Sequence, residues 1–290
     1  MIEDLKTIVD YAYDYIPIYR RLYQQKPKIE SIADFQRLPY IRLSDFVTCK
    51  IEDVVSDVAE AVSVLPPIEN KSIFPFPRLE SAHDRDMRYE IFYFMLEQMD
   101  VDENSSFVVL TDSTHSYFCG EIASNLLYYK HPTSMIILRD HSDDEVRDWV
   151  GRLQPDFLII GTKRSFVDFS EWGVPNIVEI NPPSPLFQRG NLGDCLQREN
   201  IGDYLQKGDM GINHYAIYAI SEIGWVGIRK NDAEYIYPDE YFYIESDPSD
   251  DILTITTLTS DILPFIRYKT TDKAIITEKN SFQIRHIGEH

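Results

Sequence analysis

The sequence predicts an α/β protein, with a parallel layer of strands and helices in its first two thirds and a β-rich subdomain after it. Two observations carry this. Between residues 106 and 161 short apolar runs alternate with helical patterns, which is the rhythm of strand–helix–strand units. After Gly211 the chain turns into closely spaced apolar or alternating runs separated by turn residues. With 290 residues, 43% of them hydrophobic, there is enough apolar material for a sizeable core and for one large or two ordinary domains.

The elements follow in order. Ile2, Leu5, Ile8, Val9, Ala12, Tyr13 and Ile16 recur at three- and four-residue spacing, so residues 1–24 read as an amphipathic helix. Pro17 bends or ends it, because proline lacks the amide and clashes with the preceding turn. Residues 39–78 read as short and irregular, punctuated by Pro66, Pro67, Pro75 and Pro77. A helix over 85–99 comes next. Strands are expected at 106–111, 134–138 and 157–161, with helices at 118–129 and 143–152 between them and a further strand at 177–180.

Residues 181–211 interrupt the alternation. Pro182, Pro183 and Pro185 open this stretch, and five of the twelve glycines fall between Gly190 and Gly211. It is too long for an ordinary connection and reads as an inserted loop. Beyond it, strands are expected at 216–220, 225–229, 234–237, 241–245, 253–258, 265–268, 273–277 and 281–287. The expected division is therefore 1–211, an α/β part for substrate and nucleotide with the irregular loop 181–211, and 212–290, a β-rich subdomain.

Charge filters function. Against 28 basic side chains stand 48 acidic ones, a formal charge of −20. That field repels phosphate backbones and anionic membrane surfaces, so neither nucleic acid nor membrane is an expected partner. No apolar run approaches the ~18 residues of a spanning helix. The first residues lack the basic start and apolar run of a secretory signal. Cys49, Cys119 and Cys195 stand apart and odd in number, which fits reduced thiols and a cytoplasmic location.

Two segments concentrate the chemistry. One is Tyr218-Ala219-Ile220-Ser221-Glu222-Ile223-Gly224, and the other is Leu263-Pro264-Phe265-Ile266-Arg267-Tyr268-Lys269-Thr270-Thr271-Asp272. Singly, each has a plain structural reading: a core tyrosine, a Ser-Glu turn, a strand running into a turn. Together with Leu253-Thr254-Ile255-Thr256-Thr257-Leu258 between them, in this order and spacing, they resemble the adenylate-forming superfamily, and its phenylacetate–CoA ligase branch in particular. The branch carries a YGLSE-type motif, a strand ending in TTL and an LPxIRYRTxD motif. Ile16-Pro17-Ile18-Tyr19-Arg20 and Phe35-Gln36-Arg37-Leu38-Pro39-Tyr40 are similar to the start of that branch.

The resemblance implies the N-terminal domain of an adenylate-forming enzyme, with ATP and Mg²⁺ as cofactors. It implies a small carboxylic acid as substrate and CoA or a carrier-protein thiol as acceptor. Glu222 would hold the magnesium that neutralises the ATP phosphates, work suited to a hard carboxylate oxygen. Ser221 would bond the α-phosphate, Tyr218 would line the adenine pocket, and Asp272 would accept from the ribose hydroxyls. Arg267 and Tyr268 would shape the strand that presents Asp272.

Three departures qualify this. Ala219 stands where the family motif has glycine. The family cradles the ATP phosphates in a Ser/Thr/Gly-rich loop before its first long helix, because only glycine lets backbone amides come so close. Here residues 69–78 have neither glycines nor a run of hydroxyls, Lys71 and Arg78 supply only charge, and the first glycine anywhere is Gly120. The sequence closes at Ile284-Arg285-His286-Ile287-Gly288-Glu289-His290, similar to the approach to the family's hinge, without the lid and its lysine. Groups that stabilise developing charge are each worth on the order of 10²–10³ in rate. The expectation is therefore an impaired adenylate-forming ligase, or one that depends on a lid-bearing partner or a homo-oligomer. The other reading is a non-catalytic homologue that binds or scaffolds in a biosynthetic pathway.

Other candidates are weaker. His141, Asp143, Asp144 and Glu145 read as an acidic helix N-terminus rather than a metal site. His115 and Cys119 read as packing near the family's acyl pocket, since their placement on one turn gives no base geometry. Gly190 and Gly193 are too short a signal for a phosphate loop.

Overall fold

A computed structural model describes residues 1–65, 74–112, 116–139, 141–162, 172–181, 211–220 and 222–285. The expected inserted loop, apart from its end residues Asn181 and Gly211, lies outside them, as do Lys71, His115, Cys195, Ser221 and the last five residues. The chain forms two compact units, one of Met1–Pro67, Ser72–Phe94 and Ile236–His290, the other mainly of Met95–Tyr235.

In the first unit, α1 (Ile2–Tyr15) buries Leu5, Ile8, Val9 and Ala12. Ile16 then goes extended and Pro17 begins α2 (Pro17–Tyr23), so the proline breaks the amphipathic pattern into two helices. After the short helix α3 (Ile32–Gln36), the described residues of the stretch read as irregular hold the single turns α4 (Leu43–Phe46) and α5 (Ile51–Val54) and the strand β1 (Ser63–Leu65), which pairs with β2 (Arg78–Glu80). The long helix α6 (Ala82–Gln98) begins here and belongs to this unit as far as Phe94.

The same unit carries an antiparallel sheet in the order β10 (Phe242–Ser246), β11 (Ile252–Thr257), β12 (Tyr268–Glu278), β13 (Ser281–Arg285). The strand expected at 265–268 does not form. Arg267 sits at φ +51, outside strand geometry, and the amides nearby bond side chains instead of a ladder. Phe265 N donates to Thr257 Oγ1 at 2.9 Å, Ile266 N to the Tyr19 hydroxyl at 3.0 Å, and Arg267 N to Thr256 Oγ1 at 2.9 Å. That hydroxyl also donates to Pro264 O at 2.7 Å. Residues 265–267 are thus a loop held by distant side chains, and β12 begins at Tyr268 and runs on through the expected strand at 273–277.

The second unit is the expected parallel layer. Its strands are ordered β8 (Gly224–Lys230), β7 (Asn213–Ile220), β6 (Asn176–Asn181), β5 (Phe157–Gly161), β3 (Phe107–Thr111), β4 (Thr133–Ile137). All but β8 run parallel. Strands β3 and β5 are buried throughout, which is why they read as unbroken apolar runs. Helix α7 (Ser116–Tyr128) links β3 to β4, and α8 (Asp143–Leu153) links β4 to β5. Val146 and Val150 of α8 pack on Val108, Leu110, Leu158 and Ile160. Ser142 caps α8 reciprocally with Glu145, so the acidic run at 143–145 is a helix start, as read from the sequence. Strands β7 and β8 lie with this layer, and the short β9 (Tyr235–Ile236) follows β8 in the chain.

Among the described residues no helix is long and apolar enough to cross a membrane.

Candidate functional site

Parallel strands that all run one way gather their carboxyl ends at one edge of a sheet, the edge where open α/β sheets take their ligands. In the second unit that edge holds Thr111 at the end of β3 with Asp112 after it, Gly161 at the end of β5 with Thr162 after it, and Glu222 after β7. The Thr162 hydroxyl donates to Asp112 Oδ2 at 2.8 Å, tying two strand ends together. Glu222 lies in the tight turn from β7 to β8, closed by Ile223 N to Ile220 O at 3.1 Å, and is 8% exposed. Gly224 at φ +100 makes this turn with no Cβ cost.

Tyr218, two residues before the end of β7, is buried and meets the Tyr235 ring edge-on at 5.7 Å. Beside it β8 carries one extra residue, since Tyr218 pairs with Gly227 but Ala219 with Trp225. Ser221 lies outside the described residues, so of this motif Tyr218 and Glu222 have a described place. No group of three or more His, Cys, Asp or Glu side chains placed to hold a metal ion occurs among the described residues. One carboxylate, such as that of Glu222, is nevertheless enough protein ligand for magnesium, which is commonly held by one or two carboxylates together with substrate phosphates.

Close packing under this edge involves Cys119. Its thiol is fully buried, and burial pushes it up to about 12, so it stays protonated and is a poor nucleophile. The sulfur lies 3.7 Å from Gly161 O, and a Cβ at Gly161 would meet it at 2.1 Å. Gly161→Ala is expected to cost about 1–3 kcal/mol by overpacking. Cys119→Ala in the same chain should return a large part of that, read from urea unfolding. A Gly161→Ala protein as stable as the parent would contradict this packing.

The other motif lies in the first unit. Asp272 occupies a bulge of β12: Ile252 pairs with Lys273 and Thr254 with Lys269, so β12 runs four residues where β11 runs two. Bulges re-aim side chains out of the ladder and are frequent beside active sites. Within it Asp272 N donates to Thr270 Oγ1 at 3.1 Å, and Thr270 Oγ1 donates to Leu253 O at 2.9 Å.

Arg267 is 3% exposed, and its guanidinium is used within this unit. Nε bonds Glu245 Oε1 at 2.6 Å, Nη1 donates to the carbonyls of Gln36 and Leu38, and the Tyr40 ring lies 4.2 Å away. Burial raises the Glu245 carboxyl above its ordinary value, against the opposing pull of Arg267. One side chain thus ties Gln36, Leu38 and Tyr40 to Glu245 of β10 just ahead of β12.

Sequence reasoning passed over Lys269. Its buried ammonium joins Asp247 and Asp250, the latter at 2.8 Å. Burial works against that charge, yet the two carboxylates hold the ammonium above its ordinary value. In return Lys269 holds Asp247 well below the usual carboxylate range. A lysine paired with acids 19 and 22 residues away leaves no local pattern to find.

No family model and no curated protein matches the sequence. Solved structures do. An open conformation of 2-hydroxyisobutyryl-CoA ligase, in complex with 2-HIB-AMP and CoA, aligns with a TM-score of 0.70 at 14% identity, over 98% of this chain and 72% of that one. The same ligase in its thioesterification state aligns at 0.64 and 12%, over 98% of this chain and 65% of that one. A benzoate CoA ligase from Burkholderia xenovorans aligns at 0.50 and 10%, over 79% of this chain and half of the other. The chain has the fold of acyl- and aryl-CoA ligases over most of its length, and it spans about two thirds to three quarters of the 2-hydroxyisobutyryl-CoA ligase chains.

Proposed function

We propose that this protein is an adenylate-forming ligase-like protein that uses ATP to activate a small carboxylic acid for transfer to CoA or a carrier thiol. The observation that carries the reading is the buried Glu222 carboxylate at the carboxyl end of β7, in a chain with the CoA-ligase fold. In the reaction a carboxylate oxygen of the acid would form a bond to the α-phosphorus of ATP, and pyrophosphate would leave. A thiolate would then attack the acyl carbon, and AMP would leave. Magnesium, when bound, would neutralise phosphate charge. Glu222 would supply its protein carboxylate, Asp272 would accept from the ribose hydroxyls, and Ser221 would contact the α-phosphate. Tyr218 would back the adenine side, and the phenylacetate–CoA ligase branch remains the branch its motifs resemble.

One observation favours a second reading, a non-catalytic homologue that binds or scaffolds. Where the family would place the end of its phosphate loop, Phe74 is buried among aromatic rings, 5.2 Å from Phe46, 5.9 Å from Phe76 and 6.1 Å from Phe265. An aromatic plug gives no amide cradle for a triphosphate.

Titration with ATP and Mg²⁺ by calorimetry separates the two. Saturable binding is expected, weakened roughly tenfold or more by Glu222→Gln and by Asp272→Asn, as loss of a charge-assisted bond implies. Pyrophosphate release with a panel of carboxylic acids then tests turnover. Binding without release would favour the non-catalytic homologue, and no binding up to millimolar ATP would remove the ligase reading.

A further inference from the structure

The bulge at 270–272 is gripped at both ends by one loop. This is the Asp247-Pro248-Ser249-Asp250-Asp251 turn that joins β10 to β11. Ahead of the bulge, the Lys269 ammonium is held between the carboxylates of Asp247 and Asp250. Behind it, Ala274 N donates to Asp251 O at 2.8 Å, and Ser246 Oγ donates to Ala274 O at 2.9 Å. The loop is itself braced. Asp247 Oδ1 accepts from Ser249 N at 2.9 Å and from Ser249 Oγ at 2.7 Å. Asp251 N donates to Asp247 O at 2.8 Å, with Asp251 at φ +59. The Tyr40 ring covers the Lys269 ammonium at 4.8 Å, and Lys269 N donates to Ile41 O at 2.9 Å.

A bulge with two extra residues has several ways to distribute them, and each aims the side chain at 272 differently. Fixing the residues on both sides removes that freedom. We propose that Lys269, clamped by the loop from Asp247 to Asp251, is a positioning residue that fixes the bulge and so aims the Asp272 carboxylate at the ribose hydroxyls of a bound nucleotide. This rests on the nucleotide reading above and adds to it the part that sets ribose recognition.

The test measures a ratio. The affinities of the full chain for ATP and for 2′-deoxy-ATP are compared by calorimetry, both with Mg²⁺. An aimed carboxylate makes the parent prefer ATP by roughly tenfold, about one charge-assisted hydrogen bond. Asp272→Asn should bring that preference below about threefold, and so should Lys269→Met. Lys269→Arg keeps a cation between the two acids and should keep most of the preference.

Because Lys269→Met leaves a buried carboxylate without its cation, the Lys269→Met/Asp247→Asn pair is measured beside it; removing both charges together spares the fold. A purely structural role would lower the thermal midpoint and weaken both nucleotides by the same factor, leaving the ratio where it was. That result, in a parent that discriminates and loses discrimination in Asp272→Asn, overturns the positioning role alone. A parent that binds ATP without preferring it also overturns this role and leaves nucleotide binding intact. A parent that binds neither nucleotide overturns both readings.

Discussion

Arg267→Met is expected to lower the stability of the protein by about 3–5 kcal/mol, the usual cost of removing one partner from a buried ion pair. Arg267 and Glu245 are both almost fully enclosed, so the carboxylate left behind has no water to replace the guanidinium. The carbonyls of Gln36 and Leu38 lose their donor at the same time. The loss also has a pH signature. In the parent, burial already raises Glu245 while Arg267 lowers it. Without Arg267 the burial effect is unopposed, and the folded carboxyl rises further above the ordinary value of ~4.3. The unfolded chain then gives up this proton at lower pH than the folded one does. Stability of the variant therefore falls as pH rises from about 4 through the folded pKa, and its deficit is smaller at pH 5 than at pH 8. Glu245→Gln added to Arg267→Met should recover part of the deficit at pH 8 and little at pH 5. Urea unfolding at the two pH values reads all of this. A deficit below about 1 kcal/mol, or one equal at both pH values, would mean that this pair does not hold the start of β12.

The sequence showed most clearly what short-range physics decides. Buried strands such as Phe157–Gly161 have unbroken apolar runs, the capped start of α8 has its Ser142 and Glu145, and Pro17 divides the first helix. The error at 265–268 has the opposite origin. Phe265 and Ile266 are apolar and look like strand, but their amides are claimed by Thr257 and by Tyr19, the latter 247 residues from its partner. No window of the sequence contains that information. The candidate site divides the same way. Glu222 and Asp272 stand out because their motifs carry a family pattern, and the structure adds a turn under one and a bulge under the other. What the motif could not reveal was Lys269 as part of an ion cluster, because Asp247 and Asp250 come from a separate turn. Nor could it reveal that the Phe74 side chain fills space beside Phe46 and Phe265.

Asp84→Ala is expected to cost about 3–5 kcal/mol, a large effect for a residue outside both motifs. Asp84 is buried near the start of α6 and serves three backbone donors. Its carboxylate accepts from Ser81 N at 3.0 Å, from Asp261 N at 2.8 Å and from Ile262 N at 3.1 Å. Its own amide donates to Ser81 Oγ at 3.0 Å, so one side chain both caps the helix and ties down the loop that leads into Leu263-Pro264-Phe265. Each buried amide left without an acceptor costs about 1–3 kcal/mol, and bonds to a charged acceptor lie at the upper end of such values. Rearrangement of the loop toward water would recover part of the sum. Asp84→Asn retains one acceptor oxygen but turns an NH₂ toward a backbone donor, so it should recover less than half of the loss. Asp86→Ala provides the control. Asp86 is exposed and pairs only loosely with Arg85 at 3.6 Å, so its removal should stay within about 0.5 kcal/mol. Urea unfolding of the three variants gives the values, and amide hydrogen exchange locates them. In Asp84→Asn, protection should fall first at Asp261 and Ile262. If it falls instead only within α6, Asp84 acts as a helix cap alone and the tie to the loop before β12 is not what it contributes.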